Sequence, residues 1–64
     1  MAKMTLEAAR INKHLTQQEL AEQMGVSRQT VRKWESGEQK MRPVYLFMFC
    51  HLTETTEDDI LLPE

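Results

Sequence analysis

Residues 25–27, Gly-Val-Ser, constrain the fold of this chain more than any other feature. They separate two stretches with helical punctuation and leave only one side chain, Val26, between the end of one helix and the start of the next. Gly25 can close a helix in the left-handed conformation at low cost, and Ser27 is a good N-cap. Upstream, Thr16-Gln17-Gln18-Glu19 forms a capping box, and Leu15 and Leu20 flank it at the spacing of a hydrophobic staple. Downstream, Val26 and Val31 repeat that staple spacing, and the second helix runs through Glu35 to a stop at Gly37.

The remaining signals are also helical, and none indicates a strand. Residues 6–13 carry Leu6, Ala8, Ala9 and Ile11 at helical spacing. Residues 38–42 are polar and basic, which reads as a loop, and Pro43 suits the first position of a helix over about 43–52. Thr55-Thr56-Glu57-Asp58 places acids in a first turn, as the helix dipole prefers, and predicts a short acidic fifth helix over about 56–62, stopped by Pro63. The expected fold class is all-α, a compact bundle of about five short helices forming one domain over residues 1–64.

At 64 residues, such a bundle depends on regular helix packing or oligomerisation. One cysteine, Cys50, cannot form an internal disulfide, and His14 and His51 lie apart from any metal-ligating cluster, so neither metal nor cofactor is expected. Lys3, Glu7 and Arg10 interrupt any signal-peptide core, and the apolar run Val44–Cys50 is too short to span a bilayer. A cytoplasmic protein with no membrane partner is expected.

The net charge of −2 argues superficially against a nucleic-acid partner. Its distribution argues otherwise. Residues 26–42 hold Arg28, Arg32, Lys33, Lys40 and Arg42 against Glu35 and Glu38, a local +3, while residues 53–64 hold Glu54, Glu57, Asp58, Asp59 and Glu64 with no base, a local −5. Exposed charges are screened beyond about 8 Å at physiological salt, so the local field matters more than the sum.

Two short helices joined through Gly25 have the form of a helix-turn-helix over about 17–36. Its steric demands are met in turn: small Ala21 where the helices cross, Gly25 at the turn, and Leu20, Met24, Val26, Val31 and Trp34 facing inward. Arg28, Gln29, Arg32 and Lys33 form the polar outer face of the second helix. From Leu15 to Gly37 the chain resembles the phage repressor and Cro type of DNA-binding domain, the lambda repressor-like XRE family, and the likeness extends back to Arg10 and forward to Pro43 and Leu52.

That resemblance implies a third helix in the major groove of double-stranded DNA, usually in a two-fold homodimer. The matching base-reading positions are Arg28, Gln29 and Arg32 or Lys33. Independently, arginine can take guanine O6 and N7, and glutamine adenine N6 and N7. Gln17 and Ser27 match positions that touch phosphate, where helix-end amides suit an anion, and Lys40 and Arg42 match another phosphate-contacting stretch. Arg10 and Glu35, which composition alone could present as an acid–base pair, are implied to be a structural ion pair tying the first helix to the third. Trp34 reads as core rather than a stacking platform, and Cys50 as a small buried hydrophobe.

The fourth helix, Val44 to Leu52, is apolar nearly all round. The resemblance turns Tyr45, Met48, Phe49 and Leu52 toward the core, leaving Val44, Phe47 and His51 as a second stripe. Exposed apolar patches mark interfaces, so Val44, Phe47 and His51, with residues near Ile60, are the expected dimer contact, unless Leu61 and Leu62 pack back over the stripe. No nucleophile–base arrangement or phosphate-binding glycine loop supports an enzyme, and no small-molecule effector is evident. The reading from another functional class is a protein-interaction module, antitoxin-like or regulator-binding, using the fourth helix and the acidic tail.

Overall fold

Local signals set the ends of every helix in the computed structural model, which describes residues 3–63. In chain order these are a short strand β1 (Met4–Thr5), helices α1 (Leu6–Asn12), α2 (Gln17–Met24), α3 (Arg28–Ser36) and α4 (Pro43–Thr53), a single 3-10 turn (Glu57–Asp59), and a second strand β2 (Ile60–Leu61). Thr5 caps α1 by accepting from the Ala8 amide at 3.1 Å. At α2 both arms of the capping box form: Thr16 Oγ1 accepts from the Glu19 amide at 3.0 Å, and the Thr16 amide donates to Glu19 Oε1 at 2.9 Å. Ser27 caps α3, accepting from the Thr30 amide at 3.2 Å.

Each helix is followed by a residue in the left-handed region. Gly25 (φ 71°) and Gly37 (φ 86°) follow α2 and α3, but His14 (φ 58°) and Glu54 (φ 55°) do the same work after α1 and α4. The backbone bonds have one form at three of these ends: Leu15 N–H donates to the Arg10 carbonyl at 3.2 Å, Val26 to Ala21 at 3.0 Å and Thr55 to Cys50 at 2.9 Å. This is the Schellman closure, which satisfies carbonyls that a helix end leaves unpaired. At Gly25 no atom lies within 4 Å of where a Cβ would sit, so backbone conformation, not crowding, favours glycine there.

The core is one contiguous cluster of Leu6, Ala9, Leu20, Ala21, Met24, Val31, Trp34, Phe49, Cys50 and Ile60. Burying an aliphatic or phenyl side chain of this kind contributes about 1.5–3 kcal/mol. Ala21, 1% exposed, lies at the junction of α2 and α3, and Trp34 stacks at a tilt on Tyr45 of α4, ring centroids 5.2 Å apart.

The C-terminal segment departs from the sequence expectation of a fifth helix over 56–62. Its capping signal starts only the three-residue 3-10 turn, after which Ile60 and Leu61 extend and pair in parallel with Met4 and Thr5. Ile60 is thereby drawn into the core at 4% exposed, which corrects its assignment to a dimer surface. Ile60 supplies apolar area that closes the bundle against α1, and a buried side chain cannot meet a partner. Glu64, the last acid of the tail, lies outside the described residues.

The inward face of α4 is wider than expected: Tyr45, Met48 and Leu52 pack against the core as the sequence suggested, and Cys50 and Thr53 are buried beside Phe49. Phe49, Cys50 and Thr53 are its buried residues, whereas Tyr45, Met48 and Leu52 are half-buried at the edges. Thr53 is tolerated inside because its hydroxyl donates to the Phe49 carbonyl at 2.8 Å. Val44 (61% exposed), Phe47 (70%) and His51 occupy the opposite side and are uncovered. Leu61 and Leu62 do not pack over them: both are themselves exposed, and Leu62 lies beside Leu6 and Trp34.

Candidate nucleic-acid interface

The amphipathic form of α3 follows from its sequence. Val31 and Trp34 are buried, and on a helix turning about 100° per residue Gln29, Arg32, Lys33 and Ser36 lie on the far side with Arg28 at its edge; Arg28, Gln29, Arg32 and Ser36 are exposed. Arg28, Gln29 and Arg32 together line one shallow surface depression. Lys33, though on this face, is half-buried. A helix whose rear is fixed in a core holds the backbone of its exposed residues in place, so their long polar side chains project from defined positions.

Arg32 is not free of protein contacts. Its Nη1 lies 3.8 Å from Glu38 Oε2, with both side chains about half exposed, and the Ser36 hydroxyl also donates to that carboxylate oxygen at 3.3 Å. An exposed pair of this kind is worth about 0–1 kcal/mol, so Arg32 can exchange it for a stronger acceptor at little cost.

The phosphate-type positions divide into two groups. Lys40 and Arg42 are exposed on the loop that follows α3, and Arg42 precedes α4 without forming a side-chain cap. Gln17 and Ser27 are already hydrogen-bonded within the chain. Gln17 Nε2 donates to Glu35 Oε1 at 3.0 Å, and the Ser27 hydroxyl caps α3 while bonding to Thr30 Oγ1 at 3.0 Å. What these two positions offer an anion is chiefly backbone N–H at a helix start, together with the positive end of the helix dipole.

A buried network fixes the angle between these parts. Arg10 Nε donates to Glu35 Oε2 at 2.7 Å, its Nη2 to Glu35 Oε1 at 3.4 Å, and its Nη1 to the Leu15 carbonyl at 2.7 Å. With Gln17 on the same carboxylate, one glutamate of α3 is held by α1 and α2, and its partner arginine also holds the turn between them. Three further contacts had no clear signal in the sequence. They are the Gln17–Glu35 bond, the Arg32–Glu38 contact and an ion pair between Lys13 and Glu54 that joins the ends of α1 and α4. The Thr5 cap had a signal, a threonine just before an apolar helical stretch, and the sequence reading missed it.

Among the described residues no cluster of histidine, cysteine and carboxylates could hold a metal ion, and no helix is long and apolar enough to cross a membrane.

The model of the helix-turn-helix family matches residues 6–60, nearly the whole chain. No curated protein and no solved structure matches it. The chain belongs to the XRE-type helix-turn-helix family, the lambda repressor and Cro-like group of DNA-binding regulators.

Proposed function

We propose that this protein is a small sequence-specific transcriptional regulator that acts by occupying double-stranded DNA as a homodimer. The observation that carries the reading is the grouping of Arg28, Gln29 and Arg32 on the solvent side of α3 while Val31 and Trp34 anchor its rear. In this mechanism α3 enters the major groove. Arg28 and Gln29, in its first turn, read base edges, and Arg32 and Lys33 extend the contact. Lys40, Arg42 and the helix-start amides at Gln17 and Ser27 hold backbone phosphate and set register. The Arg10–Glu35 pair keeps α3 at a fixed angle to the phosphate-contacting residues.

Val44, Phe47 and His51 are the surface through which two copies associate, supported by their exposure on an otherwise apolar helix. A two-fold pair would place its two α3 helices in successive major grooves about 34–36 Å apart on a pseudo-palindromic operator. Such occupancy requires no catalytic chemistry, cofactor or metal and suits the cytoplasm of a prokaryotic cell or phage host. The same exposed stripe, next to the acidic residues that follow α4, supports a second reading, a protein-interaction module that binds another regulator.

Selection of bound sequences from a random duplex pool tests the proposal. Enrichment of an inverted repeat with half-sites about one helical turn apart is expected. If the folded protein enriches no sequence, the base-reading roles fail and the interaction module takes their place.

A further inference from the structure

We infer that the groove between α4 and the residues that follow it receives a basic amphipathic segment of another protein. This rests on the second reading of the function, the interaction module, and supplies the chemistry of its partner. The groove has a volume of about 530 Å³. From α4 it is lined by Phe47, Cys50 and His51, and from the segment after the helix by Thr56, Glu57 and Asp58. Phe47 and, three residues earlier, Val44 are well exposed, so two large apolar side chains on this face of α4 lie in water.

Charge selects the occupant. Of the four acids at 54–59, Glu54 is paired with Lys13, and Asp59 accepts from the Thr56 amide at 3.0 Å and from its hydroxyl at 3.1 Å. Glu57 and Asp58, the two that line the groove, are exposed and make no ion pair among the described residues. Residues 43–63 hold no lysine or arginine. A second copy laid symmetrically over the groove therefore sets acids against acids, and like charges across an interface suppress association. The match is a chain of opposite sign: an apolar side chain that packs on Phe47, with lysine or arginine beside it to reach Glu57 and Asp58. Because Phe47 also belongs to the proposed two-copy contact, such a partner competes with a second copy for it.

The test titrates three synthetic helical peptides of equal length into the intact protein, followed by NMR. All carry leucine on one face, and the other face is lysine, glutamine or glutamate. The lysine peptide is expected to give saturable shifts centred on the amides of Phe47, His51 and Glu57, with affinity falling as salt is raised. The glutamine peptide should bind roughly tenfold more weakly, and the glutamate peptide more weakly still. Glu57→Lys with Asp58→Lys should reverse the order of the lysine and glutamate peptides, and Phe47→Ser should weaken all three. Dispersed amide spectra check that each variant is folded, and Glu57→Gln with Asp58→Asn, a milder change, should erase the preference for lysine. A glutamine peptide bound in the groove as tightly as the lysine peptide would overturn the basic partner and leave the interaction module standing. Absence of saturable binding by all three peptides would remove both. A lysine preference that survives charge reversal, or shifts centred away from α4 and the turn after it, would overturn the site.

Discussion

The Arg10 guanidinium and the Glu35 carboxylate, 25 residues apart in the chain, meet at 2.7 Å with their side chains only 10% and 8% exposed. A buried pair like this is costly to break from one side, because the remaining charge stays desolvated; the loss is about 3–5 kcal/mol. Glu35→Ala should therefore lower the thermal midpoint by at least about 12 °C, measured by circular dichroism. The double replacement Arg10→Met with Glu35→Leu should recover most of that loss, because apolar side chains of similar volume often substitute for a buried pair without penalty. A double variant as unstable as the single one would show that the pair's own geometry, not the orphaned charge, matters.

Arg28 and Lys40 should fail differently. Arg28→Ala is expected to cost about 1–3 kcal/mol and relax preference at one base position, whereas Lys40→Ala weakens all sequences alike and lowers the salt slope by about 1. Glu38→Gln should strengthen binding several-fold, because it releases Arg32 from a carboxylate 3.8 Å away and removes a negative charge beside the recognition face. Affinities measured across a salt series on matched and mismatched duplexes distinguish the three.

Phe47, 70% exposed on α4, can change without disturbing the core. Phe47→Glu should give a folded monomer, by sedimentation, with weaker operator binding. A sedimentation profile the same as that of the unaltered protein would remove α4 as the contact.

His14 carries a left-handed backbone (φ 58°) that glycine adopts more readily. The bonds at this end, His14 N–H to the Ile11 carbonyl at 2.8 Å and Leu15 N–H to Arg10 at 3.2 Å, are backbone only and survive substitution. His14→Gly should raise stability by up to about 1 kcal/mol, or roughly 4 °C in midpoint. A fall in midpoint would mean that the imidazole makes a contribution of its own.

Acid should loosen two helix starts. The Thr16 amide, and then its hydroxyl, hold the Glu19 carboxyl below the ordinary glutamate range, and Thr56 does the same for Asp59. A carboxylate whose value is lowered by folding contributes stability above its unfolded value, about 4.3 for Glu and 3.9 for Asp. That contribution is lost as pH falls through the lower folded value. The advantage of the unaltered protein over Glu19→Gln in urea unfolding should be constant near neutrality and close below about pH 4. An advantage that persists in strong acid would assign the effect to packing.

The helix-turn-helix was legible because its determinants are local. Thr16, Gly25, Ser27 and Gly37 each act on backbone within a few residues, so their spacing alone marks where α2 and α3 begin and end. The C-terminal segment was not legible for the opposite reason. A threonine followed by acids starts a 3-10 turn as readily as an α-helix, and the partner that pulls Ile60 into a strand, Met4, is at the other end of the chain. On α4 the extent of the inward face was hidden, although Tyr45, Met48, Phe49 and Leu52 do lie in or against the core. When Tyr45, Leu46, Met48, Phe49, Cys50 and Leu52 are all apolar, periodicity cannot choose among them, and tertiary packing selects Phe49, Cys50 and Thr53. On α3 the contrast between two buried apolar residues and a polar remainder left no such ambiguity, so the candidate contact residues could be named from order alone.

The pairing of Met4 with Ile60 and Thr5 with Leu61 brings the first and last strands of the described residues side by side. The strands run parallel and about 4.8 Å apart, so a flexible linker that turns back along this two-residue ladder could join Leu61 to Met4. New ends could then be opened in the exposed 38–40 loop, keeping all four helices and rearranging only their order of synthesis. Such a permutant would separate two roles that the natural connectivity combines, the ladder as a long-range closure of the chain and the ladder as a stabilising contact. If the closure is what matters, the permuted chain would fold faster, with its most distant contact made local.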